Sequence, residues 1–197
     1  MGLSGSPLRR RAEIIMSLHS LVRTAYDRFL RPDPVEVLKK RGLQVGKNFH
    51  MLREVIIDYP HCWLITIGDN VTLAPRVHIL AHDASTKIHL GYTRIGKVII
   101  GDRVFIGASA IILPGVRIGS DVVIGAGSVV TRDIPDNVLA IGNPAQALMS
   151  LDSYLARKKE EMERLPRFGG EFVDGHISDA MKQQMNQRMA DRFGYIV

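Results

Sequence analysis

A single cysteine, Cys62, stands in a chain of 197 residues. It cannot close a disulfide within the chain, and a chain so poor in cysteine reads as a protein of a reducing compartment. No run of about 18 apolar residues occurs, so no membrane-spanning helix is predicted. The arginines at 9–11 lead into a stretch interrupted by Glu13, Ser17, His19 and Ser20, which is not the pattern of a secretory leader. A cytoplasmic protein is expected. Aromatic residues are scarce, at 6%, so the interior is filled with aliphatic side chains rather than large rings. Acidic residues are outnumbered 26 to 20 by Lys and Arg, for a net charge of +6. That excess favours anionic partners without choosing among a phosphorylated coenzyme, an acidic glycan, a membrane surface and nucleic acid.

What is abundant is glycine, at 18 residues, within a 46% hydrophobic chain long enough for one domain with a real core. The glycines and aliphatics share a rhythm. Ile100, Ile106, Ile112, Ile118, Ile124 and Val130 fall six apart, and glycine follows at Gly101, Gly107, Gly119 and Gly125. Four residues after each aliphatic come Val104, Ala110, Val116, Val122, Ser128 and Ile134, mostly small or β-branched. The phase recurs at Ile67, Leu73 and Ile79, and more weakly at Val45, Met51 and Ile57. A period of six is neither a helix at 3.6 nor a plain strand at 2. It fits a parallel β-helix in which each flat side takes six residues and three sides close a coil of about 18 residues. The leading aliphatic is expected to point inward, and the fourth-offset residue to be small because it sits near a corner. About four coils are counted, the low end for a solenoid.

The rhythm breaks twice, at residues 61–66 and more widely at 82–95; insertions of this kind leave a solenoid as loops, and loops carry function. Both flanks read as helical. Residues 8–31 carry Ile14, Leu18, Leu21, Val22, Ala25 and Phe29 at helical spacing, and a short second helix is predicted at 34–41, stopped by Gly42. Helices are also predicted at 150–165 and 177–193, the latter with a stripe of Met181, Met185 and Met189 read as a packing seam. The expected organisation is an N-terminal helical region at 1–44, a β-helix at 45–145 and a C-terminal helical extension at 146–197.

Three runs carry a resemblance. Residues 67–82 (IGDNVTLAPRVHILAH), 106–135 (IGASAIILPGVRIGSDVVIGAGSVVTRDIP) and 140–145 (AIGNPA) are similar, in that order, to the active-site coil, the coenzyme A coils and the terminal signature of the hexapeptide-repeat acetyltransferases. The nearest subgroup is the maltose, galactoside and polysaccharide O-acetyltransferases. The resemblance implies a mainly β chain built as a left-handed parallel β-helix, a homotrimer with its sites between subunits, and acetyl-CoA as co-substrate.

Acetyl transfer from a thioester to an alcohol needs a base, a donor for the oxyanion and a slot for the pantetheine arm. An imidazole can accept a proton at cellular pH and release it later, and His82 matches the family's base. Asp83 is adjacent, but neighbours on an extended chain point apart. Asp58, one coil earlier, is better placed to orient the ring, or to bind substrate. The resemblance implies the backbone N–H at Ala108 as oxyanion donor, Ala108 and Ala126 as walls of the pantetheine slot, Thr131 and Arg132 near the nucleotide end, and Asn143 and Pro144 at the closing signature. His78 and His89 lie close to His82 in sequence and raise a zinc site, because a class of carbonic anhydrases shares the fold. Ligand spacing differs there, and no metal is expected.

The sequence departs from the galactoside pattern in two places. The asparagine-rich acceptor pattern is missing around residues 48–53, and His61-Cys62-Trp63-Leu64 is extra. Galactoside is therefore not the expected acceptor; a sugar hydroxyl of capsule, lipopolysaccharide or exopolysaccharide fits better. Trp63 could stack on a sugar face or plug a coil corner. Residues 1–41 hold nine basic residues against four acidic ones. That region could rest on an anionic membrane surface or, more simply, cap the coil; nucleic acid is not an expected partner. Two rival readings stay open: an acceptor outside the glycans (serine, an antibiotic hydroxyl or an amino sugar) and a non-catalytic scaffold.

Overall fold

The six-residue beat winds the backbone into three flat parallel sheets around one core. The computed structural model describes residues 33–173, 177–189 and 193–197, so the helix expected at 8–31 lies outside the described residues. The first coil passes through Gln44–Val45, His50–Met51 and Ile56–Ile57, and the second through Ile65–Ile67, Thr72–Leu73 and His78–Ile79. The third passes through Val98–Ile100, Val104–Ile106 and Ile111–Ile112, and the fourth through Arg117–Ile118, Val122–Ile124 and Val129–Val130. Each strand pairs in parallel with its counterpart one coil away, which makes three sheets. A partial fifth coil follows, with Ile134 bridged to Ile118 and Val138–Gly142 paired to Val122–Ile124.

The leading aliphatics all face inward. Ile67, Ile100 and Ile118 stack under the first sheet, Leu73, Ile106 and Ile124 under the second, and Ile79, Ile112 and Val130 under the third, every one of them buried. Each such side chain removed from water contributes about 1.5–3 kcal/mol, and it does so only against its neighbours above and below. The fourth-offset residues are buried as well; they open the next face rather than turn the corner. The turn itself falls one residue earlier. Asn48, Glu54, Asn70, Arg76, Arg103, Ser109, Asp121 and Asn137 all have φ between +52° and +61°, and Gly115 and Gly127 occupy the same place in their hexads. A left-handed residue bends the chain sharply, and Asn and Asp tolerate it best after glycine.

The edge between the first and second sheets holds a polar ladder. Asp69 accepts from the Lys47 N–H at 2.7 Å, Asp102 from the Asp69 N–H at 2.8 Å, Ser120 from the Asp102 N–H at 3.0 Å and Asp136 from the Ser120 N–H at 2.7 Å. Glycines precede Asp69, Asp102 and Ser120 because the coils touch there: a Cβ on Gly101 would stand 2.7 Å from the Gly119 carbonyl carbon.

Contacts divide the chain at Gly42/Leu43. In the first unit, the helix Pro34–Lys40 is capped by Asp33, whose carboxylate accepts the Val35 N–H at 2.9 Å. In the second, residues 146–150 are not yet helical: Ala145–Ser150 pairs antiparallel with Val138–Gly142 and closes the second sheet as a hairpin. The helix Leu151–Arg164 starts at an N-cap on Ser150 and is tied to the last coil by the Leu151 N–H on the Asn137 carbonyl, at 3.0 Å. A second helix, Asp179–Arg188, and the strand pair Arg167–Phe168 with Tyr195–Ile196 gather round Phe168, over which the Arg188 guanidinium lies at 4.7 Å. Met181, Met185 and Met189 are half-buried on one side of that helix region. No described helix is long and apolar enough to cross a membrane.

Candidate active site

The two interruptions of the repeat leave the coil at the same corner, after the third sheet. Partners one coil apart are normally 18 residues apart, as in Val104 with Val122. The spacing widens to 22 between the first and second coils and to 33 between the second and third. The first insertion begins at Asp58 and the second at His82. Because Ile57 and Ile79 are stacked neighbours, the residues that follow each of them meet in space although 24 positions separate them.

Asp58 and His82 form a dyad. The Asp58 side chain is fully buried, and its Oδ2 lies 2.5 Å from His82 Nδ1 while accepting the Ala81 N–H at 2.8 Å. Oδ1 accepts the His61 N–H at 3.2 Å. A carboxylate acceptor at Nδ1 fixes the proton there and leaves Nε2 as the basic nitrogen. The His82 ring is 35% exposed, which is enough for a substrate to reach it. Burial pushes the Asp58 carboxyl upward and is the largest single influence. The hydrogen bonds from His82, Ala81 and His61, with the nearby imidazole charge, outweigh it and hold the group below its ordinary 3.8. Asp58 therefore stays ionised wherever the protein is folded near neutrality.

His61 is the residue the sequence did not mark. Its ring lies 4.9 Å from that of His82, and its buried Nδ1 faces Asp58 Oδ1 at 3.6 Å without a hydrogen bond. The three donor atoms of Asp58, His61 and His82 lie within 4.8 Å of one another, a set of types that suits a transition ion. The spacing suits it less well. Donors about 2.0–2.2 Å from a tetrahedral ion stand well over 3 Å apart, whereas Asp58 Oδ2 and His82 Nδ1 approach to 2.5 Å, hydrogen-bonded to each other. The histidines considered from sequence lie elsewhere: His78 is on the third sheet, lining a groove with Arg76 and Ser109, and His89 is exposed in the short helix Lys87–Leu90. Asp83 turns away and accepts the Ser85 N–H at 2.9 Å. Trp63 plugs no corner; it is 50% exposed beside His61.

A cleft of about 460 Å³ opens beside the dyad, lined by Leu80, His82, Asp83, Arg94, Leu113 and Thr131. Arg94 comes from the antiparallel pair His82–Asp83 with Arg94–Ile95 that roots the larger insertion. Thr131 and the exposed Arg132 thus sit on the same edge of the prism as His82. Ala108 and Ala126 do not. They occupy the edge between the second and third sheets, one coil apart, where the Gly127 N–H bonds the Ala108 carbonyl at 2.8 Å. Asn143 and Pro144 form the exposed tip of the closing hairpin, and the Gly142 N–H bonds Ser128 Oγ on that second edge. Among the described residues the Ala108 N–H donates no backbone hydrogen bond. One flat side of six residues, up to about 20 Å when extended, separates the two groups. The residues marked from sequence therefore fall into two groups on two edges.

Comparison with known proteins supplies the family. Residues 97–132 match the family described as hexapeptide repeat of succinyl-transferase. A Schizosaccharomyces pombe protein named as an acetyltransferase is 35% identical over 74% of this chain and 70% of its own length. The galactoside O-acetyltransferase of Escherichia coli is 36% identical over 60% of this chain and 59% of its own. The solved structure of a maltose O-acetyltransferase from Clostridium difficile is 34% identical, covers 62% of this chain and 79% of that one, and superposes with a TM-score of 0.49.

Proposed function

Because the chain belongs to the hexapeptide-repeat acetyltransferases, we propose that it moves an acetyl group from acetyl-CoA to a hydroxyl of a sugar in a capsule, lipopolysaccharide or exopolysaccharide glycan. The coil is then the left-handed β-helix of that family. The observation that carries the reading is the buried Asp58 carboxylate fixed on His82 Nδ1 at the mouth of a cleft. His82 Nε2 takes the proton of the acceptor hydroxyl as its oxygen attacks the thioester carbonyl. Asp58 stabilises the imidazolium so formed. The tetrahedral oxyanion collapses, the carbon–sulfur bond breaks, and the proton passes from Nε2 to the departing thiolate. A base so placed contributes about 10²–10⁴-fold.

The oxyanion needs a backbone donor, and the unengaged Ala108 N–H suits it; one such donor is worth about 2.7–4 kcal/mol. Ala108 lies on the other edge from His82, so the arrangement favours a homotrimer in which one copy brings the dyad, Thr131 and Arg132, and its neighbour brings Ala108, Ala126, Asn143 and Pro144. Arg132 would meet coenzyme phosphate. A thiol-release assay with glycan acceptors tests the proposal. His82→Ala is expected to lower turnover at least about a hundredfold with unchanged thermal unfolding. Co-expression of His82→Ala with Ala108→Trp chains, each inactive alone, is expected to restore part of the activity. Full activity of His82→Ala would place the chemistry elsewhere.

A further inference from the structure

The four residues by which the first insertion exceeds a plain coil are held rigidly. The His61 N–H is fixed on Asp58 Oδ1, the Cys62 side chain is buried, and the Leu64 N–H donates to the His61 carbonyl at 2.9 Å, so Cys62–Leu64 forms one turn of 3₁₀ helix. Trp63 rides on that turn and stays 50% exposed, with Tyr59 of the same segment 53% exposed. Its ring lies 5.5 Å from that of His61, which lies 4.9 Å from that of His82. The His61 ring thus touches both the indole and the base. A large indole with a fixed mount, wet on one side and two ring contacts from the base, is placed to meet whatever hydroxyl-bearing molecule His82 serves. Tryptophan offers a flat apolar face together with an N–H, which suits the C–H face of a pyranose and its rim of hydroxyls.

Resting on the reading of the acceptor as a sugar, we propose that Trp63 is the platform for the sugar unit next to the one that is acetylated, so that the preferred acceptor is a glycan of two or more units rather than a monosaccharide. His61, in ring contact with both, braces the platform beside His82.

The test is a series of mono-, di- and tetrasaccharide acceptors assayed by thiol release with the wild type, Trp63→Ala and Trp63→Phe, alongside the mass of each in solution. The wild type is expected to show a lower KM for the di- and tetrasaccharide than for the monosaccharide. Trp63→Ala is expected to raise KM for the longer acceptors about tenfold and to leave KM for acetyl-CoA and for the monosaccharide unchanged, while Trp63→Phe keeps most of the discrimination. A wild type that acetylates sugars with no preference for length, or a Trp63→Ala enzyme with unaltered KM values, overturns the platform alone. So does a Trp63→Ala protein of smaller mass, because the indole would then cover a neighbouring copy. A wild type that acetylates no saccharide overturns the sugar reading itself, and the platform with it.

Discussion

Replacing Asp58 with asparagine preserves the shape of the site while removing acceptors that three donors need. Asp58 Oδ2 serves His82 Nδ1 at 2.5 Å and the Ala81 N–H at 2.8 Å, and Oδ1 serves the His61 N–H at 3.2 Å. An amide can offer one oxygen only. If that oxygen faces Ala81 and His82, the new NH₂ meets the His61 N–H, donor against donor. If it is flipped, the NH₂ meets the Ala81 N–H and donates to His82 Nδ1, which moves the imidazole proton to Nε2, the nitrogen that must be basic. Either way a buried donor goes unpaired, at about 1–3 kcal/mol of stability. In the flipped state the base is lost, so kcat is expected to fall by about 10²–10⁴, or about 2.7–5.5 kcal/mol on the barrier. KM values should change little. The pH dependence follows from the depressed carboxyl: its contribution to stability is complete above the ordinary 3.8 and is lost as pH falls through its lower folded value. The urea-denaturation difference between wild type and Asp58→Asn is therefore expected to hold steady from about pH 5 to 8 and to shrink only in stronger acid. Initial-rate thiol release and urea titration measure both effects. An Asp58→Asn enzyme with wild-type kcat would refute the orienting role.

The coil itself makes two further predictions. Ile112→Ala empties a fully buried position between Ile79 and Val130 and should cost about 2–5 kcal/mol, read as a lower denaturation midpoint with an unchanged slope. Gly101→Ala drives a methyl group into the Gly119 backbone. Because backbone cannot step aside, it should destabilise the protein more than the same change at Gly170, where a methyl group would meet open space; thermal unfolding of the two variants compares them.

Much of this molecule is legible because its repeat is short and its core is built from the same two positions of every six-residue side. Ile100, Ile106 and Ile112 name the inward face directly, and stacking of successive coils makes Asp58 a candidate neighbour of His82, although the pairing itself, 24 residues apart where the register is 22, is visible only in the fold. Other parts could not be read so easily. The corner residue is Arg103 in one hexad, Ser109 in the next and Asp121 further on; its left-handed φ is imposed by winding, and no single side chain signals it. The strand Ala145–Ser150 stands where the sequence predicts the start of a helical extension, because its pairing with Val138–Gly142 is antiparallel and not periodic. His61 carries no signal in the sequence because four inserted residues shift it out of the beat, and only the 22-residue spacing beneath it shows that it lands beside His82. That Ala108 and His82 occupy separate edges also follows from counting sides, which the linear motif hides.

Both extra segments leave the prism at a single corner, and the sheets on either side continue in register across them. Stretching a turn of this coil from 18 to 33 residues adds only about 0.6 kcal/mol of closure entropy, because the stacked faces neither shift nor lose a partner. The scaffold therefore behaves like a rack with one open bay. New loops can be fitted or exchanged there, beside the Asp58–His82 pair, while the strands that give the protein its stability register nothing of the change.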